Sequence, residues 1–267
     1  MFIRIISALV MGSIGAAIIL FAPQVIFNAV ILLMIAGGLF EFFRLVFVNA
    51  RFYQRIGLVY SLVVAAVCMF AGTEVVLITI VTGLFIVALI YMKYSTVLEG
   101  LTTRLGLTLL GAVYLGATLP FYPLVRELPN GKALIFMGIA AAAMSDTFAL
   151  AVGKTMGRHK FAPMTSPNKT WEGFIGGFVG SILAVWVVSL IGWRDLPLVH
   201  VLALGIIIGF VGPMGDLIES LIKRSYHVKD SGSIIPGHGG VLDRLDALVF
   251  VGPVLYLYAK FVLTPLL

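Results

Sequence analysis

The chain has 267 residues, 61% of them hydrophobic and only 11% charged, with a net charge of +6 and a single cysteine. Soluble domains carry about 25% charged residues, so this chain cannot clothe a water-facing surface, and a soluble α/β enzyme is excluded by its repeated apolar runs. Cys68 lies in one of those runs and can form no internal disulfide, so it says nothing about redox compartment, while the positive balance suits anionic headgroups or anionic substrates.

The chain enters an apolar stretch directly after Arg4. Many further spans follow, so this stretch reads as a retained first helix and not as a signal peptide. A spanning helix needs roughly 20 apolar residues. The candidate cores are Ile5–Phe21, Val25–Phe43, Ile56–Ala71, Val75–Met92, Leu105–Val125, Ala133–Val152, Phe174–Trp193, Val199–Ile218 and Val241–Leu263. Only Ala22-Pro23-Gln24 separates the first two. A continuous helix there would run about 58 Å, far beyond a hydrocarbon core of about 30 Å, so a tight hairpin at Pro23 is expected. There is no internal repeat. The pattern predicts an all-α, polytopic integral membrane protein of about nine transmembrane helices, forming a single membrane domain over 1–267. Five N-terminal spans fill 1–130, and 131–267 holds the helices that carry the charged, Gly/Pro-rich loops at 153–173 and 220–242.

Charge tests this topology. With nine spans, fourteen of the eighteen Lys and Arg fall on the side of the N-terminus, leaving only Arg126, Lys132, Arg194 and Lys260 opposite. Positive residues mark the cytoplasmic face, which places the N-terminus and both motif loops there, in a cell (inner) membrane.

The first motif segment holds Ser145-Asp146, then Lys154, Arg158, His159 and Lys160, then Ser166-Pro167-Asn168-Lys169-Thr170-Trp171-Glu172-Gly173. Asp146 sits inside an apolar run, where an acid is costly unless paired, metal-bound or in a wet cavity. Ser166 and Asn168 favour a turn around Pro167, and Thr170 is placed to cap the next helix. Lys169 would then stand near that helix's N-terminus, where N–H groups attract phosphate.

The second segment begins Gly215-Asp216, passes Glu219-Ser220 and Lys223-Arg224, continues through Lys229-Asp230, and ends Pro236-Gly237-His238-Gly239-Gly240-Val241-Leu242-Asp243-Arg244-Leu245-Asp246. On a helix Asp216 and Glu219 share a face, Glu219 and Lys223 can pair, and Asp243 and Asp246 are again three apart at the start of the last helix. Carboxylate oxygens suit Mg²⁺, and no Cys/His set of zinc spacing exists. Acids for a metal beside bases for phosphates fit phosphoryl or nucleotidyl transfer. The glycines leave room for backbone N–H groups to approach an anion. His238 is open to three readings: a base, a phosphate donor or a structural donor. Glu41 reads as structural, within reach of Arg44.

The run from Ser220 to Asp246 resembles the signature of the phosphatidate cytidylyltransferase family (CDP-diacylglycerol synthases) at every specified position, and Asp216, Ser145-Asp146 and the Ser166–Gly173 segment resemble the motifs that precede it. The resemblance covers about residues 140–253. It implies transfer of CMP from CTP to phosphatidic acid, giving CDP-diacylglycerol and pyrophosphate, with Mg²⁺ and room for a second cation. On that reading Asp216, Asp243 and Asp246 hold the metal. Lys169, Lys223, Arg224, Lys229 and Arg244 clamp the phosphates, with Lys223 and Arg244 nearest the chemistry. Asp146 supports the cavity or the metal, and Ser220, Asp230, His238, Gly239 and Gly240 line the substrate site. CTP, phosphatidic acid and membrane lipids are the partners implied, with no nucleic acid; a homodimer is left open. The rival readings are a cytidylyltransferase for another lipid phosphate and an ion-coupled transporter, whose acids would carry ions.

Overall fold

A computed structural model describes residues 2–232 and 239–263; His238 lies outside the described residues. The chain is almost wholly helical. In order it forms α1 (Phe2–Phe21), α2 (Gln24–Val46), α3 (Arg51–Ala71), a 3₁₀ turn (Thr73–Val75), α4 (Val76–Tyr94), α5 (Leu101–Gly111), a π-helical turn (Ala112–Gly116) and α6 (Phe121–Glu127). There follow α7 (Gly131–Met156), a hairpin of β1 (Lys160–Ala162) and β2 (Ser166–Thr170), α8 (Trp171–Gly192), α9 (Leu198–Ser225), α10 (Leu242–Leu245), α11 (Val251–Tyr258) and a second π-helical turn (Ala259–Leu263).

Among the described residues, seven helices are long and apolar enough to cross a membrane: Gln24–Val46, Arg51–Ala71, Thr73–Tyr94, Leu101–Glu127, Gly131–Met156, Trp171–Gly192 and Leu198–Ser225. Two shorter apolar helices, Val10–Phe21 and Val251–Leu263, fall where the first and last spans were expected. Large apolar side chains such as Leu33, Ile78, Val187 and Phe210 stand exposed along these helices, as they do when lipid is the solvent. This is an all-α polytopic membrane protein.

The chain breaks at Ala22-Pro23, with Pro23 preceding the first turn of α2, where its missing N–H costs nothing. Two expectations need correction. Pro167 is not in a turn: it lies in β2 of a two-stranded antiparallel hairpin, with Lys160 opposite Thr170 and Ala162 opposite Ser166, and the turn falls at 163–165. The last helix is not continuous from Val241. Asp246 takes the N–H of Ala247 on its own carboxylate at 2.7 Å, and the N–H groups of Leu248 and Val249 return to the Leu245 carbonyl. A short side chain that captures neighbouring backbone competes with the helix, so α10 ends at Leu245 and α11 starts at Val251.

The described residues form two compact units. The first takes those of Met1–Pro123 and Asp230–Asp243. Its core holds Ile35, Leu39, Phe42 and Phe43 of α2, with Val64 of α3 and Leu115 of the π turn. A buried Tyr91–Thr108 hydroxyl pair at 2.9 Å ties α4 to α5. In this unit Glu41 does not pair with Arg44. One of its carboxylate oxygens accepts the Leu242 N–H at 2.8 Å and the Ser231 hydroxyl at 3.1 Å, and Glu41 is only 3% exposed.

The second unit takes the described residues of Leu124–Lys229 and Arg244–Leu267. Its centre is the α7–α8 pair. Gly173, Gly176, Gly177 and Gly180 recur along one face of α8. A Cβ at Gly177 would stand 2.8 Å from the Ser145 hydroxyl, and one at Gly176 would stand 2.6 Å from a Val152 methyl. Only glycine permits this approach, the device by which membrane helices associate without a hydrophobic drive. Thr170 caps α8 as expected, its hydroxyl accepting the Gly173 N–H at 3.1 Å.

Candidate functional site

The second unit gathers acids and lysines at one end of α9. Asp216 and Glu219 lie a turn apart on that helix, and the turn after α10 brings Asp246 to them. One carboxylate oxygen from each of the three can be chosen so that all lie within 4.8 Å of one another. Gly215 makes this possible: a Cβ there would fall on the Asp246 carbonyl oxygen.

Two lysines flank the acids. Lys169, at the end of β2, places its ammonium 2.7 Å from Asp216 Oδ2 and 3.3 Å from the Pro213 carbonyl. Lys223 pairs with Glu219 one turn along α9, Glu219 being fully buried. The Ser220 hydroxyl donates to Asp216 Oδ1 at 3.2 Å, fixing that carboxylate's rotamer. Asp246 lies outside the candidate spans; burial first, then the charge on Asp216, push its carboxyl up to about 7.

Asp146 of α7 faces a cavity of about 270 Å³ with Lys169, Asp216, Asn168 and the rings of Phe161 and Phe174. The hairpin forms one wall. Glu172 braces it, its carboxylate accepting the N–H groups of Arg158 and His159 at 3.1–3.3 Å and the His159 ring nitrogen at 2.6 Å. The His159 ring and the backbone N–H groups of Arg158 and His159 thus anchor the start of α8. Arg224 donates to the Val228 carbonyl at 2.8 Å, closing the turn after α9. Lys229 and Arg244 are exposed.

In the first unit Asp243 is 8% exposed, and its carboxylate accepts backbone N–H groups from Ser231 at 3.0 Å and Gly240 at 2.8 Å. Gly239 has φ +84, which a residue with a side chain rarely adopts. A Cβ at Gly240 would fall on a Glu41 oxygen. Asp230 is exposed.

The oxygen cluster contains Asp216 and Asp246 of the expected metal set together with Glu219, which shares a helix face with Asp216; Asp243, the third expected ligand, is not among its members. The signal for Glu219 was present, since it follows Asp216 by three residues on one helix. Glu41 had no local signal: its partners are 190 and 201 residues away.

The sequence profile of the cytidylyltransferase family matches residues 2–262. The chain belongs to that family. The phosphatidate cytidylyltransferase of Bacillus subtilis is 37% identical over 171 residues, covering 63% of this chain and 64% of the relative. That of Staphylococcus saprophyticus is 40% identical over 147 residues, 55% of this chain and 56% of the relative. A Staphylococcus epidermidis protein of the same name is 35% identical over 175 residues, 65% and 66% of the two chains. The chain thus spans between about half and two thirds of the length of these relatives. The resemblance carried by Ser220–Asp246 leads to the same family.

Proposed function

We propose that this membrane protein transfers CMP from CTP to phosphatidic acid, giving CDP-diacylglycerol and pyrophosphate. The reading rests above all on the cluster of Asp216, Glu219 and Asp246 between Lys169 and Lys223, at the end of a membrane-spanning helix of a cytidylyltransferase-family chain. The names of the relatives supply the lipid.

The cluster fits Mg²⁺. Its donors are all carboxylate oxygens, the ligand type a small hard cation takes, and it contains no thiolate or imidazole. Bound there, Mg²⁺ would supply charge neutralisation of phosphate oxygens as the new bond forms.

The chain's own residues do the positioning. A phosphate oxygen of phosphatidic acid attacks the α-phosphorus of CTP, the bond from that phosphorus to the β-phosphate oxygen breaks, and pyrophosphate leaves with the electron pair. No protein nucleophile takes part. Lys169 and Lys223 hold phosphate oxygens, Asp216 and Ser220 set the orientation of Lys169 through the contacts described above, and Asp146 keeps the cavity polar for the lipid headgroup. Asp243, with its carboxylate engaged by backbone N–H groups, braces the glycine segment, and Gly239 and Gly240 let that segment approach an anion. Arg224, Lys229 and Arg244 stand on the side from which CTP arrives. That side is the cytoplasmic one, as the distribution of Lys and Arg suggests.

The test is conversion of labelled CTP and phosphatidic acid by the purified protein with and without Mg²⁺. CDP-diacylglycerol and pyrophosphate are expected only when lipid, nucleotide and Mg²⁺ are all present. A product formed with another lipid phosphate and not with phosphatidic acid would reassign the acceptor. Absence of pyrophosphate release across a panel of lipid phosphates would reject nucleotidyl transfer altogether.

A further inference from the structure

The first unit contains a second charged cavity that none of the proposed reaction uses. It has a volume of about 520 Å³ and lies where α2 ends and α3 begins. Arg44, Arg51 and Arg55 line it, together with Phe40 and Val48. All three arginines are exposed, and none is ion-paired with a carboxylate among the described residues. Three unneutralised guanidinium groups around one hollow repel each other unless an anion joins them.

The hollow is built. The Gln54 amide donates to the Phe47 carbonyl at 2.7 Å and fixes the turn between the two helices. The Arg44 guanidinium carbon lies over the Phe40 ring, 5.5 Å from its centre, a stacking contact that positions the head group and leaves its in-plane N–H donors to face an anion. Guanidinium presents planar paired donors that match phosphate oxygens, and it never loses its charge. Both flanking helices are spanning candidates, so their shared end lies at the depth of lipid phosphates. Phe40 at 44% exposure and Val48 at 67% give the rim an apolar side suited to the first carbons of an acyl chain.

We propose that Arg44, Arg51 and Arg55 form a phosphate-binding site for the headgroup of an anionic phospholipid, made of first-unit residues and containing none of the acids of the cluster. A soluble phosphate would satisfy the same donors, and the experiment separates the two sources. The proposal concerns binding alone, so it stands or falls independently of the reaction proposed above.

Native mass spectrometry of the full chain, released from detergent while phosphatidylglycerol is titrated, reads occupancy directly. Wild type is expected to bind one phosphatidylglycerol at least about tenfold more tightly than phosphatidylcholine. The R44Q/R51Q/R55Q variant is expected to lose that preference. The R44K/R51K/R55K variant keeps every positive charge, and hence the membrane orientation, and is expected to bind several-fold more weakly because the paired donors are gone. Competition by inorganic phosphate or CTP at low millimolar concentration would make a soluble phosphate the ligand of the same site. Undiminished phosphatidylglycerol preference in the lysine variant and in the glutamine variant, or in the lysine variant alone if the other does not fold, overturns the proposal and leaves the arginines as determinants of topology.

Discussion

Two carboxylates 4.8 Å apart, the outer limit within the Asp216–Glu219–Asp246 cluster, repel by about 3 kcal/mol at an effective dielectric of about 20. Lys169 and Lys223 offset part of this, and a divalent cation held there would offset more. Asp216→Asn and Asp246→Asn are each expected to lower turnover at least about 100-fold, the equivalent of about 3 kcal/mol of transition-state stabilisation. Pyrophosphate release by folded variants checks this, and near-normal rates would remove the metal role. Asp246 also fixes a pH dependence. Its carboxyl, at about 7 in the folded chain, binds a proton more tightly than the unfolded group at about 4. Its contribution to stability is therefore full at low pH and lost as pH rises from about 4 to about 7. With divalent ions chelated, the change in melting temperature between pH 5.5 and pH 8 should be less favourable at pH 8 for wild type than for Asp246→Asn. Mg²⁺ should restore the wild type at pH 8. Equal pH responses of the two proteins would contradict the assignment.

Helix packing carries the next layer. Gly177 and Gly176 let α8 close on α7, which in turn sets Asp146 across the cavity from Lys169. Gly177→Leu is expected to separate the helices at a cost of about 1–3 kcal/mol or more, seen as reduced folded yield and a lower melting temperature. The glycine segment is held differently. Glu41→Ala should speed hydrogen exchange at the Leu242 amide, while Asp243→Ala should speed it at the Ser231 and Gly240 amides; a buried hydrogen bond to a charged group contributes about 1.5–3 kcal/mol. Exchange unchanged at those amides would show that other contacts hold them. Much of this layer was legible in the sequence. The break at Pro23, the Thr170 cap and the shared face of Asp216 and Glu219 follow from local rules about proline, hydroxyl caps and helical spacing. The hairpin and the interruption at Asp246 did not follow, because each depends on a side chain capturing a backbone group that helical periodicity alone would assign elsewhere.

At the scale of the whole chain, apolar runs of spanning length were enough to establish a helical membrane protein, because a continuous apolar run of about 20 residues satisfies its own backbone in lipid only as a helix. The family was legible from the Ser220–Asp246 motif. Contacts between residues far apart in sequence were not, and Glu41 is the clearest case. The orientation predicted by the arginine and lysine distribution is checked by cysteine accessibility: single cysteines at 155–170 should react with a membrane-impermeant reagent only from the cytoplasmic side. Glu41 also imposes an order in time. Its partner Leu242 is 201 residues further along. At roughly 5–20 residues per second of synthesis, the nascent chain holds an unsatisfied carboxylate near the end of its second helix for on the order of ten to forty seconds. A chain stalled or cut before Ser231 lacks both of the groups that hold this carboxylate in the finished protein.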